Sequence, residues 1–579
     1  MCLIERTSTQ MTAIPNARPS HSLSIANHRL YARNSAYNAA TRNLAPLVPI
    51  AKALMKLSLL LCASLLAALS ASLILVSYAE AQKPPAANCI AITHVSIVDP
   101  SHAAAHPVTP DQSVVICGDR IRSVAPSKKT HPPRDTRIVE ARGKYLIPGL
   151  WDMHVHFFAA GESSAPQFLL HGVTSVRDCG GPLTLVQDLR AKIASGALAG
   201  PRIKAAGPIL ESQHFLDVVQ QISTKIAPDL SQSLRQVVQD RIGLNKAADA
   251  QSQVDKLKAS GVDFIKVRNA ESPEVVYAIA EAARRDGLPL AGHVIRGVDL
   301  AKASDAGQTS FEHDEDYFDS NPPPVTREQQ AALAAVFVRN GSVLVPTIVT
   351  GRSRLASDAQ VQAALKDTEG ATDPMRRYLP PELLHFWKTS LALNQFDERE
   401  EPWDKKLQRG KDFVKIMRKH RVQILPGTDL GAPLMYPGES LLEELQIFVD
   451  EMGMTPREAL ESATTLPAHW FNIQDQLGTI AVGKLADAAL LDANPLDDIR
   501  NTRNVLAVVA NGKLYDRAEL ERLVAHTAKA WPNEHERTRE LLPHKKALEK
   551  GEAWGIIRSG LRPAALRHHQ PCGQNTRTA

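Results

Sequence analysis

Hydrophobic and polar positions divide the chain into regions of different periodicity. Residues 88–147 contain short apolar runs separated by turn residues, such as CIAITHVSIVD and SVVIC, which is typical of strands. From about residue 150 to 430, short apolar runs alternate with stretches such as EVVYAIAEAARRDG, whose apolar positions recur near the helical period. The pattern therefore predicts a β-rich module followed by a region of alternating strands and helices.

The alternating region contains eight predicted strands. Eight strands that alternate with helices favour a (β/α)8 barrel. Two long segments, 211–250 and 351–420, follow predicted strand ends, and we expect them at the catalytic face of the barrel as lids or substrate walls. The predicted strands are 150–156, 174–180, 202–210, 263–268, 288–295, 310–314, 342–350 and 424–429.

Strand-like runs return after the barrel, in LGTIAVGKLADAALLD and VLAVVANGKLYD. We expect these runs to complete the module begun at residue 88. The predicted fold is therefore an α/β chain in which a TIM barrel is inserted into a small split β-sandwich domain. The predicted divisions are 1–54 (disordered or a mis-assigned start), 55–81 (signal peptide), 88–147 and 476–517 (the two parts of the β-sandwich), 148–475 (the barrel), 518–550 (a C-terminal helical segment) and 551–579 (a disordered tail).

The N-terminal region has the layout of an export signal. From Met55, MKLSLLLCASLLAALSASLILVSYAEAQ places a lysine before a long apolar run, with small residues at Ala79 and Ala81. This is the pattern of a secretory signal peptide cleaved after Ala81. The apolar run is also near the length of a membrane span, so an uncleaved anchor is the alternative. We expect an exported protein, periplasmic or secreted, and residues 1–54 are either a disordered segment or a mis-assigned start with Met55 as the true start.

Charge and length narrow the classes of function. The formal net charge is +5, but residues 1–54 hold six Lys/Arg against one Glu, so the chain from Gln82 onward is about neutral. No nucleic-acid-binding patch is expected from such a balance. A chain of 579 residues exceeds the size of a single hydrophobic core, which favours more than one domain.

Two cysteines lie where neighbouring strands are expected to meet. Cys89 begins one predicted strand and Cys117 ends the next, and these two ends face each other in an antiparallel hairpin. An exported protein is able to oxidise such a pair, so we expect a Cys89–Cys117 disulfide. Two buried free thiols are the alternative.

The candidate chemistry begins with the H-x-H of the first barrel strand. Residues i and i+2 of a strand point to the same face, so His154 and His156 both point into the barrel and can hold one metal ion. The alternative is two core histidines with hydrogen-bonded neighbours. Later strand ends favour the metal site, because residues of metal-binding chemistry recur there: Lys266, His293, His313 and Asp429.

Lys266 is the exception among these types, since an ammonium group cannot bind a cation. A desolvated lysine amine that adds CO2 becomes a carbamate, which offers two anionic oxygens. An ordinary salt bridge at the barrel mouth is the alternative for this lysine. The sequence leaves both open.

Taken together, the motifs PGLWDMHVH, GVTSVRD, GVDFIKV, AGHV, SFEHD, GTD and GTIAVGKLADAALLDANPL resemble the metal-dependent amidohydrolase superfamily. The chain looks most like the imidazolonepropionase-like branch, which includes Xaa-Pro and other dipeptidases. The resemblance covers about residues 88–517 and is specific, because the ligand types occur in the expected order at the expected strand ends.

The resemblance implies a role for each candidate residue. His154 and His156 would bind the more buried metal, carboxylated Lys266 would bridge two metals, and His293 and His313 would bind the second. Asp429 would bind the first metal and shuttle the proton as the catalytic residue. The implied cofactors are two divalent ions, with zinc as the default and manganese or cobalt as alternatives, or one ion if Lys266 is unmodified.

The expected activity is hydrolysis of an amide bond in a dipeptide or an N-acyl amino acid, by metal-activated hydroxide. A lactone or cyclic-amide hydrolase would use the same site, and a non-catalytic binding protein on the same scaffold is a third reading. The expected partner is a small-molecule amide or peptide. Neither nucleic acid nor, after signal cleavage, a membrane is expected as a partner, and a homo-oligomer stays open.

Overall fold

The computed structural model describes residues 89–224, 231, 235, 238–313, 317–318, 320–394 and 402–529. The predictions for 1–54, for the signal peptide at 55–81 and for the tail at 551–579 lie outside the described residues. So does the part of the predicted C-terminal segment beyond Lys529. Among the described residues, no helix has the length and hydropathy needed to cross a membrane.

Strands from both ends of the described chain lie in one eight-stranded sheet. Strand β5 pairs in parallel with β1 and antiparallel with β16, which joins the two parts. The strand order is β18-β17-β16-β5-β1-β2-β3, and β4 pairs with β1. The strands are β1 (Cys89–Val98), β2 (Val108–Cys117), β3 (Arg120–Pro126), β4 (Arg137–Glu140), β5 (Tyr145–Pro148), β16 (Ala488–Leu491), β17 (Val505–Ala510) and β18 (Lys513–Asp516).

This sheet has a hydrophobic core of its own. Ile121 of β3 and Leu514 of β18 belong to the same buried cluster although their strands are at opposite ends of the sheet, so the sheet curls around that core. The other face of the sheet packs towards the barrel. Along β16, Ala489 and Leu491 belong to the barrel core, whereas Ala488 and Leu490 belong to the core of the sheet. The strands form one continuous sheet, and a two-sheet sandwich stays a prediction.

The hairpin of β1 and β2 brings its two cysteines into register. Cys89 is paired directly with Cys117, and the two sulfur atoms form a disulfide. The expected bridge is therefore confirmed. Cys179 is a buried free thiol, and Cys572 lies outside the described residues.

The barrel strands are parallel and fall into two hydrogen-bonded arcs, β6-β7-β8 and β10-β9-β11-β12-β13-β14-β15. Backbone bonds close both seams: Asp263 donates to Ala205 (2.9 Å) and Met153 donates to Pro426 (2.9 Å). The strands are β6 (Leu150–Val155), β7 (Val173–Asp178), β8 (Arg202–Ala205), β9 (Leu210–Glu211), β10 (Ile242–Gly243), β11 (Ile265–Val267), β12 (Leu290–His293), β13 (Ser310–Glu312), β14 (Val343–Val345) and β15 (Gln423–Ile424).

Helices lie between the barrel strands and after them. They are α1 (Phe157–Ala160), α2 (Ala165–Leu170), α3 (Leu183–Ser195), α4 (Gln213–Ser223), α5 (Ala250–Ala259), α6 (Pro273–Asp286), α7 (Leu300–Ala306), α8 (Arg327–Asn340), α9 (Ile348–Ser353), α10 (Asp358–Lys366), α11 (Pro381–Asn394), α12 (Trp403–Lys419), α13 (Glu439–Asp450), α14 (Pro456–Ser462), α15 (Thr465–Trp470) and α16 (Arg517–Lys529). Short 3-10 turns occupy Ser127–Lys129, Glu162–Ser164, Ala247–Asp249, Arg376–Tyr378 and Ile499–Arg503.

Three strand predictions were wrong in part, and the eighth, predicted over 424–429, is confined to Gln423–Ile424. The third strand, predicted over 202–210, is interrupted after Ala205 because Gly207 adopts a positive φ of 65°. The seventh, predicted over 342–350, ends at Val345, and Ile348 begins a helix. Pro346 lacks an N–H for the ladder. The buried carboxylate of Glu444, from α13, accepts the first N–H groups of that helix. These two effects outweigh the strand preference of the β-branched residues.

Candidate metal centre

All six sequence-predicted residues come together at the carboxyl ends of the barrel strands. His154 Nε2 lies 3.4 Å from Lys266 Nζ and 3.6 Å from Asp429 Oδ1. His156 Nε2 lies 3.4 Å from the same Asp429 oxygen. His154 and Lys266 are almost completely buried, whereas His156 and Asp429 are partly open to solvent.

The remaining two candidate histidines, His293 and His313, belong to the same cluster of side chains. The imidazole of His313 lies 4.8 Å from that of His154 and 4.3 Å from that of His293, measured between ring centroids. One potential ligand atom from each of His154, His313 and Asp429 lies within 4.8 Å of the other two. The geometry therefore offers a cation several donors at once, while the role of each residue stays a prediction.

Unusual backbone conformations place three residues of the centre. His313, Thr347 and Asp429 have positive φ angles of 65°, 51° and 48°. Asp429 N donates to His154 O (2.8 Å) and His313 N donates to Val345 O (2.9 Å), so hydrogen bonds to neighbouring strands hold these turns. Left-handed conformations are unfavourable for such residues and persist only where the surroundings fix them.

In His154 and His156, a hydrogen bond from Nδ1 fixes Nε2 as the nitrogen that faces the metal centre. His154 Nδ1 donates to Glu312 Oε2 (2.7 Å), and His156 Nδ1 donates to the carbonyl of Gly180 (3.1 Å). With Nδ1 of each ring protonated, Nε2 carries the lone pair, and in both rings Nε2 faces Asp429. Lone pairs that converge on a carboxylate suit a cation between them.

Behind His154 lies a buried charge network that the sequence did not reveal. Arg177 donates twice to Glu312, at 2.8 and 2.9 Å, and once to Ser310 Oγ (3.1 Å). Its guanidinium lies over the ring of Trp470, 4.8 Å from the centroid. Arg177 and Glu312 are fully buried. The only sequence signals were a carboxylate directly before His313 and an arginine inside an apolar strand.

Burial and these charges set the pKa values of the centre. Burial, followed by the charge of Lys266, lowers the pKa of His154 to about 3, so the ring is neutral. Burial alone would raise the pKa of Glu312, but the Arg177 charge and the hydrogen bond from His154 hold it well below its usual range. Burial and then the charges of Lys266 and Arg268 lower the pKa of His293.

A second set of hydrogen bonds, also not predicted from the sequence, supports His313. Its Nδ1 is 2.9 Å from Thr347 Oγ1. The next two residues, Ile348 and Val349, donate their backbone N–H groups to Glu444 at 3.0 and 2.7 Å. Glu444 is fully buried, so α13 fixes the turn whose hydroxyl orients the histidine.

One side of the mouth is aromatic. Phe158 packs edge-on against His156 (5.5 Å between ring centroids) and against Phe386 of α11 (5.3 Å). Both phenylalanines are half-buried. An apolar substrate group therefore has a surface to contact beside the partly open histidine.

Comparison with known proteins gives matches over most of the described chain. A model of the amidohydrolase family matches residues 145–344 and 384–515. Ochratoxinase from Aspergillus niger is 23% identical over 455 residues, covering 70% of this chain and 82% of that protein. Imidazolonepropionase from Hahella chejuensis is 20% identical over 437 residues, covering 69% of this chain and 91% of that protein.

Solved structures show the same fold. A Xaa-Pro dipeptidase with methionine bound in its active site superposes with a TM-score of 0.53 at 22% identity, covering 74% of this chain and 100% of that one. This likeness confirms the predicted TIM-barrel type of fold.

Proposed function

Because the chain belongs to the amidohydrolase family and is a hydrolytic enzyme that acts on C–N bonds, we propose that it is an exported, binuclear metal-dependent hydrolase of dipeptides or N-acyl amino acids. One observation carries the proposal: the Nε2 atoms of His154 and His156 converge on Asp429 while their Nδ1 protons are directed elsewhere.

The donor set fits divalent metals. Neutral imidazoles and a carboxylate suit zinc, and the pKa of His154 agrees with a neutral ligand. The proposed ligands are His154, His156, Lys266, His293, His313 and Asp429. When bound, divalent cations polarise the scissile carbonyl and lower the pKa of water towards neutrality.

The proposed role of Asp429 is proton transfer. Its Oδ1 faces both histidines of the first strand, and its side chain is 19% exposed, so it is within reach of both solvent and substrate. The carboxylate accepts a proton from the attacking water and returns it to the leaving amine, as general base and then general acid.

The proposed carbamate on Lys266 has a structural basis. The amino group is almost completely buried, next to the lone pair of His154 Nε2 at 3.4 Å. A carbamate there would place two oxygens among the other proposed ligands and supply the negative charge that two divalent ions require. An unmodified lysine instead favours a single-metal enzyme.

Two observations support the substrate class and the location. A structural neighbour is a dipeptidase by name, and the aromatic side of the mouth offers a contact for an apolar side chain or acyl group. The Cys89–Cys117 disulfide agrees with folding in an oxidising compartment, as the predicted export signal requires.

The test starts with the metal content of protein expressed from Met55 and purified after export without chelator. We expect about two zinc-like ions per chain and hydrolysis of dipeptides or N-acyl amino acids in a panel that also contains lactones. Asp429→Asn should abolish turnover, and Asp188→Asn, an exposed carboxylate on α3, should not. Absence of metal after supply of zinc and bicarbonate would overturn the proposal, and turnover of lactones alone would transfer it to that class.

A further inference from the structure

A pair of arginines lies at the mouth of the barrel, beyond Lys266. Arg268 follows Lys266 by two residues, and its backbone N–H donates to Leu210 O (3.0 Å), so the strand-like pairing of β11 with β9 continues to this residue. Alternation along a strand then places Arg268 on the same face as Lys266, one step closer to solvent.

Both arginines share one carboxylate. Glu211 is fully buried at the end of β9, and its Oε2 accepts hydrogen bonds from Arg241 and from Arg268, the latter at 3.2 Å. Both guanidiniums lie over the ring of Phe215, with Cζ 5.8 Å from the ring centroid for Arg241 and 5.1 Å for Arg268. The guanidiniums of Arg241 and Arg268 therefore meet at one buried carboxylate.

The two arginines differ in exposure. The side chain of Arg241 is 9% exposed, whereas that of Arg268 is 37% exposed. A guanidinium has five N–H donors, and within the described part of the chain Arg268 uses one of them, on Glu211. The stacked ring holds the Arg268 fork in place with its remaining donors available to a ligand.

We propose that Arg268 is a substrate-specificity residue that binds the carboxylate of the dipeptide or N-acyl amino acid, while Arg241 serves to neutralise Glu211. The inference rests on the proposed function. Arginine suits this task because its planar fork matches a carboxylate in two parallel hydrogen bonds. Together with Phe158 and Phe386 it gives the mouth one apolar side and one cationic side.

The test compares N-acetyl-phenylalanine with its carboxamide, which lacks the negative charge. In the holoenzyme, Arg268→Gln should lower the ratio of kcat/KM for acid over carboxamide by about tenfold to a hundredfold, mainly through KM, as loss of a charge-assisted hydrogen bond predicts. Arg268→Lys, which keeps the charge but not the fork, should restore part of the ratio.

Arg241→Gln is the matched control, since it removes a guanidinium from the same carboxylate and the same ring. We expect it to lower thermal stability and to leave the ratio within about twofold of wild type. An unchanged ratio in Arg268→Gln, or an equal fall in both variants, would overturn the assignment of Arg268.

Binding separates this inference from the proposed function. If the wild type cleaves neither compound, the proposed substrate class fails, but calorimetric titration of the holoenzyme with N-acetyl-phenylalanine still tests Arg268. At least tenfold weaker binding to Arg268→Gln supports the subsite, and equal binding to both proteins overturns it.

Discussion

The two walls of the metal centre are built differently. The inner wall consists of His154, Glu312 and Arg177, which are fully buried and hydrogen-bonded to one another. The outer wall consists of His156, Asp429 and Arg268, whose side chains are 17%, 19% and 37% exposed. The two walls meet where His154 Nε2 lies 3.6 Å from Asp429 Oδ1.

The difference in burial indicates which wall tolerates amino-acid substitutions. In the inner wall, the charges of Arg177 and Glu312 offset each other, and removal of one partner leaves the other unpaired in a medium of low dielectric constant. At the mouth, water is able to replace a lost partner, so changes there should affect substrate selection more than folding.

The largest effect is expected from Glu312→Gln. Arg177 would keep its buried charge without a carboxylate, and we expect the free energy of unfolding to fall by about 3–5 kcal/mol, with loss of bound metal. Urea-induced unfolding and metal analysis measure both. Asp305→Asn breaks an exposed ion pair with Arg339 and should cost less than about 1 kcal/mol. Equal losses in the two variants would contradict the contrast between the walls.

Thr347→Val should have the next largest effect, because it removes the hydroxyl that orients His313 while keeping a β-branched side chain. We expect metal affinity to fall by about 10–100-fold, measured by competition with a chelator. Thr347→Ser keeps the hydroxyl and should retain wild-type affinity. If serine and valine behave alike, the hydroxyl does not position the ring.

The pH dependence of stability tests Glu444. Burial raises the pKa of its carboxyl from 4.5 to about 8. The folded protein thus keeps a proton that the unfolded chain releases, so the free energy of unfolding falls as pH rises from about 4.5 to 8. Glu444→Gln should remove this contribution, which amounts to at most about 1.4 kcal/mol per pH unit.

The control for Glu444 is Glu328→Gln, at the exposed start of α8. A hydrogen bond to its own backbone N–H lowers the pKa of Glu328, so its titration lies below this window. The stability difference between wild type and Glu328→Gln should be flat from pH 5 to 8. Parallel curves for wild type and Glu444→Gln would refute a protonated Glu444 in the folded protein.

The smallest effect is expected on the aromatic side of the mouth. Phe386→Ala removes the half-buried partner of Phe158 and should lower kcat/KM for aromatic substrates by about fivefold. The free energy of unfolding should change by only about 1 kcal/mol. Phe386→Leu keeps an apolar surface and should recover part of the activity. Equal losses on aromatic and small substrates would assign Phe386 a structural role.

Much of the fold follows from local pattern. The predicted barrel strands are present, because each is a short apolar run whose signal lies within the strand itself. The hairpin register that joins Cys89 to Cys117 was also local. The error in the seventh predicted strand arose where a distant group decided the conformation, because Glu444, almost a hundred residues away, turns the end of that strand into a helix.

The six candidate ligands could be proposed from the sequence because they stand at or near the ends of five strands, with His154 and His156 sharing the first, and parallel strands of a closed barrel end at one face. Their partners were not found. Arg177 and Glu312 are 135 residues apart, and Arg268 shares its carboxylate with an arginine from another loop. The sequence by itself determined which side chains reach the mouth, whereas only the tertiary structure decided which atoms pair there, because contacts across the barrel depend on how strands distant in sequence are aligned.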